Sequence, residues 1–171
     1  MTQELIDLKN SILEGRYADA LVIVDELEGM SKQAILRNIE SYLNILLIHL
    51  IKNQIEQRLT GSWVNSIRNS IKQIKKLNIK DNKNSYYINQ DEWEMLILEE
   101  VIEDAIADAS LEVLNGNYTR SQLSAILDRN QILTTANEFI ALTYTYSAKE
   151  LPAIMDDYLA QLAGGEDWIS K

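Results

Sequence analysis

The chain contains no cysteine. That excludes disulfides, zinc–thiolate sites, iron–sulfur clusters and thiol nucleophiles. It also fits a reducing compartment, so the expected location is the cytoplasm. There is one proline, Pro152, and there are six glycines in 171 residues. So few breakers point to long helices and away from a fold of many tight turns. The first residues, Met1-Thr2-Gln3-Glu4-Leu5, offer neither a basic segment nor a long apolar one, and no signal peptide is expected. The longest apolar run, 43–51, contains Asn44 and His49 and falls short of the roughly 20 residues of a membrane span. A buried core helix is expected there, and no membrane partner. Phosphate-binding glycine loops, the dinucleotide fingerprint and calcium-loop spacing are all missing, and no cofactor is expected.

What is present suits a soluble globular chain. Hydrophobic residues make up 46% and charged residues 25%, enough for one domain with a real core. The net charge of −10 disfavours non-specific binding to nucleic acid or anionic membrane. The charge is unevenly placed. Residues 63–83 carry Arg68, Lys72, Lys75, Lys76, Lys80 and Lys83 against Asp81 alone. Residues 91–112 carry only carboxylates. The expectation is that these two segments lie side by side and compensate.

Periodicity places the helices. Leu5, Leu8, Ile12 and Leu13 predict a first helix over 2–14, closed by Gly15. Ala20, Leu21, Val24 and Leu27 predict a second over 17–28. The string 13–21 resembles the turn of a tetratricopeptide repeat, but without the tandem period of about 34 residues it reads as a helix-turn-helix corner. Gly29-Met30-Ser31 reads as a turn, with Ser31 capping a long central helix over 32–59. Val64, Ile67, Ile71, Ile74 and Leu77 form a narrow apolar seam on an otherwise basic, hydrated helix over 64–77. Residues 78–90 read as a polar loop. Asp91 is expected to cap a helix over 92–115, with Trp93, Leu98, Val101, Ile102, Ala105 and Ile106 inward. Glu100, Asp104 and Asp108 fall on its outer face. Thr119 caps a shorter helix to Leu127, and an apolar helix covers 133–144. Ser147 and Glu150 offer a capping box for the last helix, with Pro152 in its first turn. The helices over 91–163 end at Gly164-Gly165, and 164–171 reads as a frayed tail that Trp168 pins. The predicted fold is all-α, a single-domain bundle of about seven or eight helices around the long central one.

Sites are sparse. His49 is the only histidine, a general-base candidate or a core histidine hydrogen-bonded in place. His49, Lys52, Asn53, Trp63 and Arg68 form the candidate polar cluster for a ligand or an enzyme reaction. No metal is expected: helical di-metal sites need Glu-x-x-His, and Leu46 stands three residues before His49. The basic face of Arg68, Lys72, Lys75 and Lys76 lacks interleaved aromatics, which disfavours single-strand nucleic acid.

The middle of the chain resembles the bacterial family called domain of unknown function 29. The resemblance rests on Asp25-Glu26-Leu27-Glu28-Gly29-Met30-Ser31, on Glu40-Ser41-Tyr42-Leu43, and on Leu46-Leu47-Ile48-His49-Leu50-Ile51-Lys52. Ser62-Trp63, Ser66-Ile67-Arg68 and Ile71 complete it, so the family-like core is 17–77. Many members carry an aromatic soon after the His-Lys string, where this chain has Asn53-Gln54-Ile55-Glu56. The resemblance implies a helical fold and a cytosolic bacterial origin, and brings no catalytic residues. The expected function is a small helical module that binds a protein partner or regulates one. The alternatives are a ligand-binding protein or enzyme using the cluster around His49, and a structural homo-oligomer.

Overall fold

A computed structural model describes residues 2–169. Helix α1 spans Thr2–Leu13 and helix α2 spans Tyr17–Glu56. At 40 residues, α2 is about 60 Å long. The turn expected at Gly29-Met30-Ser31 is absent, and Ser31 caps nothing: the two expected helices are one. A single interior glycine costs a helix only about 1 kcal/mol, and neither neighbour is a proline. Their good helix formers carry the chain through.

The contacts gather in two compact units, Met1–Arg37 and Asn38–Lys171. In the first, Ser11 and Ala20 are buried, while Leu5, Ile6, Ile12, Leu13, Tyr17, Leu21, Val22 and Met30 are exposed. The second holds the core. Ile39, Leu43, Leu46, Leu47 and Ile51 of α2 have no accessible surface. By length and mean hydropathy α2 could cross a bilayer; its most apolar run is instead consumed by this core.

Helix α3, Gly61–Asn78, starts earlier than its seam suggests, because the Thr60 side chain accepts from the Trp63 amide and caps it. Val64, Ile67, Ile71 and Ile74 are buried as the 3-4 spacing predicts, Leu77 is half-buried, and Trp63 is buried beside them. The following segment is not a featureless loop. Ile79 and Tyr86 form an antiparallel bridge, and Asn82 Oδ1 accepts from the amides of Asn84 and Ser85. Asn78 then reaches across to Ile88, donating to its carbonyl and accepting from its amide. That isolated bridge is the only β-type pairing among the described residues.

Asn89, rather than Asp91, makes the capping box of the next stretch, with Glu92. That stretch is not one α-helix. A 3-10 turn, Gln90–Glu92, leads into α4, Trp93–Leu96; a π turn, Ile97–Val101, leads into α5, Ile102–Ser110. The wider π turn keeps Ile97, Val101 and Ile102 inside and turns Leu98 outward, 46% exposed, where unbroken α geometry predicted it inward. A 3-10 turn, Val113–Gly116, precedes α6, Arg120–Ile126, which Thr119 caps as expected, with Gln122 completing a capping box. Asp128 caps α7, Arg129–Thr145, so the helix expected over 133–144 starts four residues earlier, after a two-residue corner. Ser147 and Glu150 exchange their expected pair of bonds ahead of α8, Leu151–Ala160. The frayed tail is corrected as far as Ile169: Gly165–Ile169 forms α9, with the Arg68 guanidinium 5.1 Å from the Trp168 ring centroid. Ser170 and Lys171 lie outside the described residues. Helix α3 packs against α7 and α8, and α7 also against α4 and α8.

Candidate functional site

Four of the five sequence-selected polar residues sit around the end of α2 and the start of α3. The His49 ring is half-buried, and its Nδ1–H donates to the Ile45 carbonyl at 2.8 Å. Burial lowers its pKa below 6.5; the bond to Ile45 works the other way, and the nearby Lys52 charge lowers it further. Lys52 is buried, with its ammonium 3.2 Å from Glu112 Oε1 and 4.7 Å from the centroid of the Trp63 ring. Arg58 stacks at 4.7 Å over that same ring and pairs with Glu56 at 3.0 Å. The Trp63 ring therefore meets two cations, each paired with its own carboxylate. Asn53 Nδ2 donates to the carbonyls of Arg58 and Ala163 at 3.0 and 2.8 Å, tying the α2–α3 elbow to the end of the chain. The fifth residue, Arg68, makes its contacts elsewhere, with Asp156 and Trp168.

Beside this joint, a cavity of about 230 Å³ is lined by Asn53, Gln54, Gln131, Thr135, Gln161 and their neighbours. It falls below the ordinary range of ligand sites, about 300–1,000 Å³, and its amide-rich wall suits bound water.

The expected compensation between the basic and acidic segments is not what the chain uses. Among the described residues no ion pair joins 63–83 to 91–112. Arg68 pairs with Asp156, and Lys75 donates to the Thr143 carbonyl at 2.7 Å. On the acidic side, Glu103 is held by Arg129 at 2.6 Å and Arg120 at 3.7 Å, and Glu112 by Lys52. The Arg129 bond, foremost, lowers the Glu103 pKa. Glu100, Asp104 and Asp108 are exposed, as their outward spacing predicts. Among the described residues no three metal-ligating side chains cluster.

The basic face of α3 borders a groove of about 530 Å³. Leu151 and Met155 of α8 are buried and form its floor, with Pro152, Ile79 and Tyr86 beside them. Arg68, Lys72, Lys75 and Lys76 line the α3 side. Their spacing of four, three and one residues puts them on one helix face. Lys72 and Lys76 are exposed and meet no hydrogen-bonding or ionic partner among the described residues. The groove thus pairs an apolar floor with uncompensated positive charge, in a chain whose net charge is −10. Sequence reading found the cations through their helical spacing. It missed the floor, because nothing near Leu151 or Met155 marks them as facing α3.

The fold defines an all-α, single-domain protein, with a groove between α3 and α8 that is lined by apolar side chains and four cations. The chain belongs to the family described as domain of unknown function DUF29, whose model matches residues 7–130. Comparison with curated proteins gave no match, and comparison with solved structures gave none either.

Proposed function

We propose that the chain is a protein-interaction module whose docking site is the α3–α8 groove, and that it takes an acidic amphipathic helix. One observation carries this reading: an apolar floor of Leu151, Pro152 and Met155 faces a row of four cations, two of them unpaired among the described residues. Helix-in-groove recognition needs apolar anchors at i and i+3 or i+4, with charge alongside for register. The groove supplies the complement of both. We favour it over the cluster around His49 because the Lys52 ammonium, the Asn53 amide and the His49 Nδ1–H already have partners within the chain. A pocket that must bind something keeps polar groups open.

The test is a designed helical peptide of about 15 residues, with two leucines one turn apart flanked by glutamates. It is expected to bind with micromolar affinity and to shift the Leu151 and Met155 methyl resonances. Lys72→Glu with Lys76→Glu is expected to weaken it about tenfold, since two exposed attractions of about 0.2–1 kcal/mol become repulsions. Absence of binding overturns the reading. So does tighter saturation of the groove by dodecanoate, which would make the occupant a small amphipathic anion.

A further inference from the structure

Resting on the groove as a helix-docking site, we propose that its occupant is a second copy of this chain, entering by the outer face of its α4–π-turn–α5 stretch. Three observations carry this.

The first is the failed compensation within the chain. Residues 63–83 and 91–112 have opposite charge, yet no ion pair joins them among the described residues, and each keeps charges without partners. On the groove these are Lys72 and Lys76. On the acidic stretch they are Glu94, Glu99, Glu100 and Asp104, all exposed and without hydrogen-bonding or ionic partners among the described residues. A second copy satisfies both sets at once.

The second is the apolar content of the acidic face. Met95 is 64% exposed and Leu98 46% exposed, three residues apart on a helical surface. Glu94 lies one turn before Leu98, and Glu99 one turn after Met95. An apolar pair is therefore flanked by carboxylates on both sides, the inverse of an apolar floor beside lysines. A flexible methionine also fits an irregular groove.

The third is the π turn. It faces Leu98 outward while Ile97 and Val101 stay buried. Turns of this kind cost regularity and recur where a helix surface is used. Here the turn presents a leucine that regular helix geometry would have placed inside.

Reciprocal charge reversal tests this on the full chain by sedimentation velocity. The wild type is expected to associate with rising concentration and to dissociate as salt screens the exposed charges. The groove variant, Lys72→Glu with Lys76→Glu, and the face variant, Glu94→Lys with Glu99→Lys, should each self-associate at least about tenfold more weakly. Mixed one to one, they should associate again, because each groove then meets a face of opposite sign. All four positions are exposed, so circular dichroism and melting temperature should match the wild type. Three results would overturn the proposal: a wild type that stays monomeric at its solubility limit, association that the groove variant leaves intact, or a mixture that does not recover. Loss in the groove variant but not in the face variant also overturns it, by assigning the groove to another acidic segment. The designed peptide separates the two readings. If it binds while the chain stays monomeric, self-recognition fails and the docking site stands. If the peptide also fails, both fall.

Discussion

His49 donates one ring proton to Ile45 and is otherwise half enclosed beside the buried Lys52. Burial favours its neutral form, so its folded pKa lies below the unfolded value of 6.5. The stability this contributes is complete above 6.5 and is lost as pH falls through the lowered folded value. Between about pH 7 and pH 5 the wild type should therefore lose more stability than His49→Gln, measured by urea unfolding at each pH. A second residue-scale test concerns Tyr144. Its hydroxyl accepts from Trp93 Nε1 at 2.6 Å and from Asn78 Nδ2 at 2.9 Å, and donates to the Ile88 carbonyl. Tyr144→Phe leaves Trp93 Nε1 without a partner, while Asn78 Nδ2 and the Ile88 carbonyl keep each other, and should cost about 1–3 kcal/mol, read as a lower urea midpoint at unchanged slope. The proximity of His49 and Lys52 was legible, because residues three apart share a helix face. Glu112, the partner of Lys52, was not, because it lies 60 residues away.

At the scale of elements, Gly29 is the informative position. It sits inside α2 with nothing within 4 Å of an added Cβ. Gly29→Ala should therefore raise stability by about 0.5–1 kcal/mol, seen as a higher melting temperature. Gly164→Ala should do the reverse. Its backbone has φ +74°, and a Cβ would lie 2.9 Å from Arg58 Cα and from the Leu59 amide. From neighbouring residues alone Gly29 reads as a turn and Gly164 as the start of fraying, because a glycine's role depends on what surrounds it. The α3 seam from Val64 to Ile74 and the caps at Thr119 and Ser147 were legible, since they need only local spacing. The π turn was not: Ile97, Leu98 and Val101 are all apolar, and only packing chose which of them faces out.

For the whole molecule, the charge pattern was readable but its pairing was not. The sequence alone determined an all-α chain with a basic helix, an acidic helical stretch and one long apolar helix. Helix periodicity, scarce breakers and net charge are properties of neighbouring residues. Only the tertiary structure decided that α8 lays Leu151 and Met155 against the lysines of α3, and that Arg68 finds Asp156, 88 residues away. It also left Lys72 and Lys76 lining the groove without partners among the described residues. Contacts between distant residues depend on how the helices pack, and no local pattern encodes that distance.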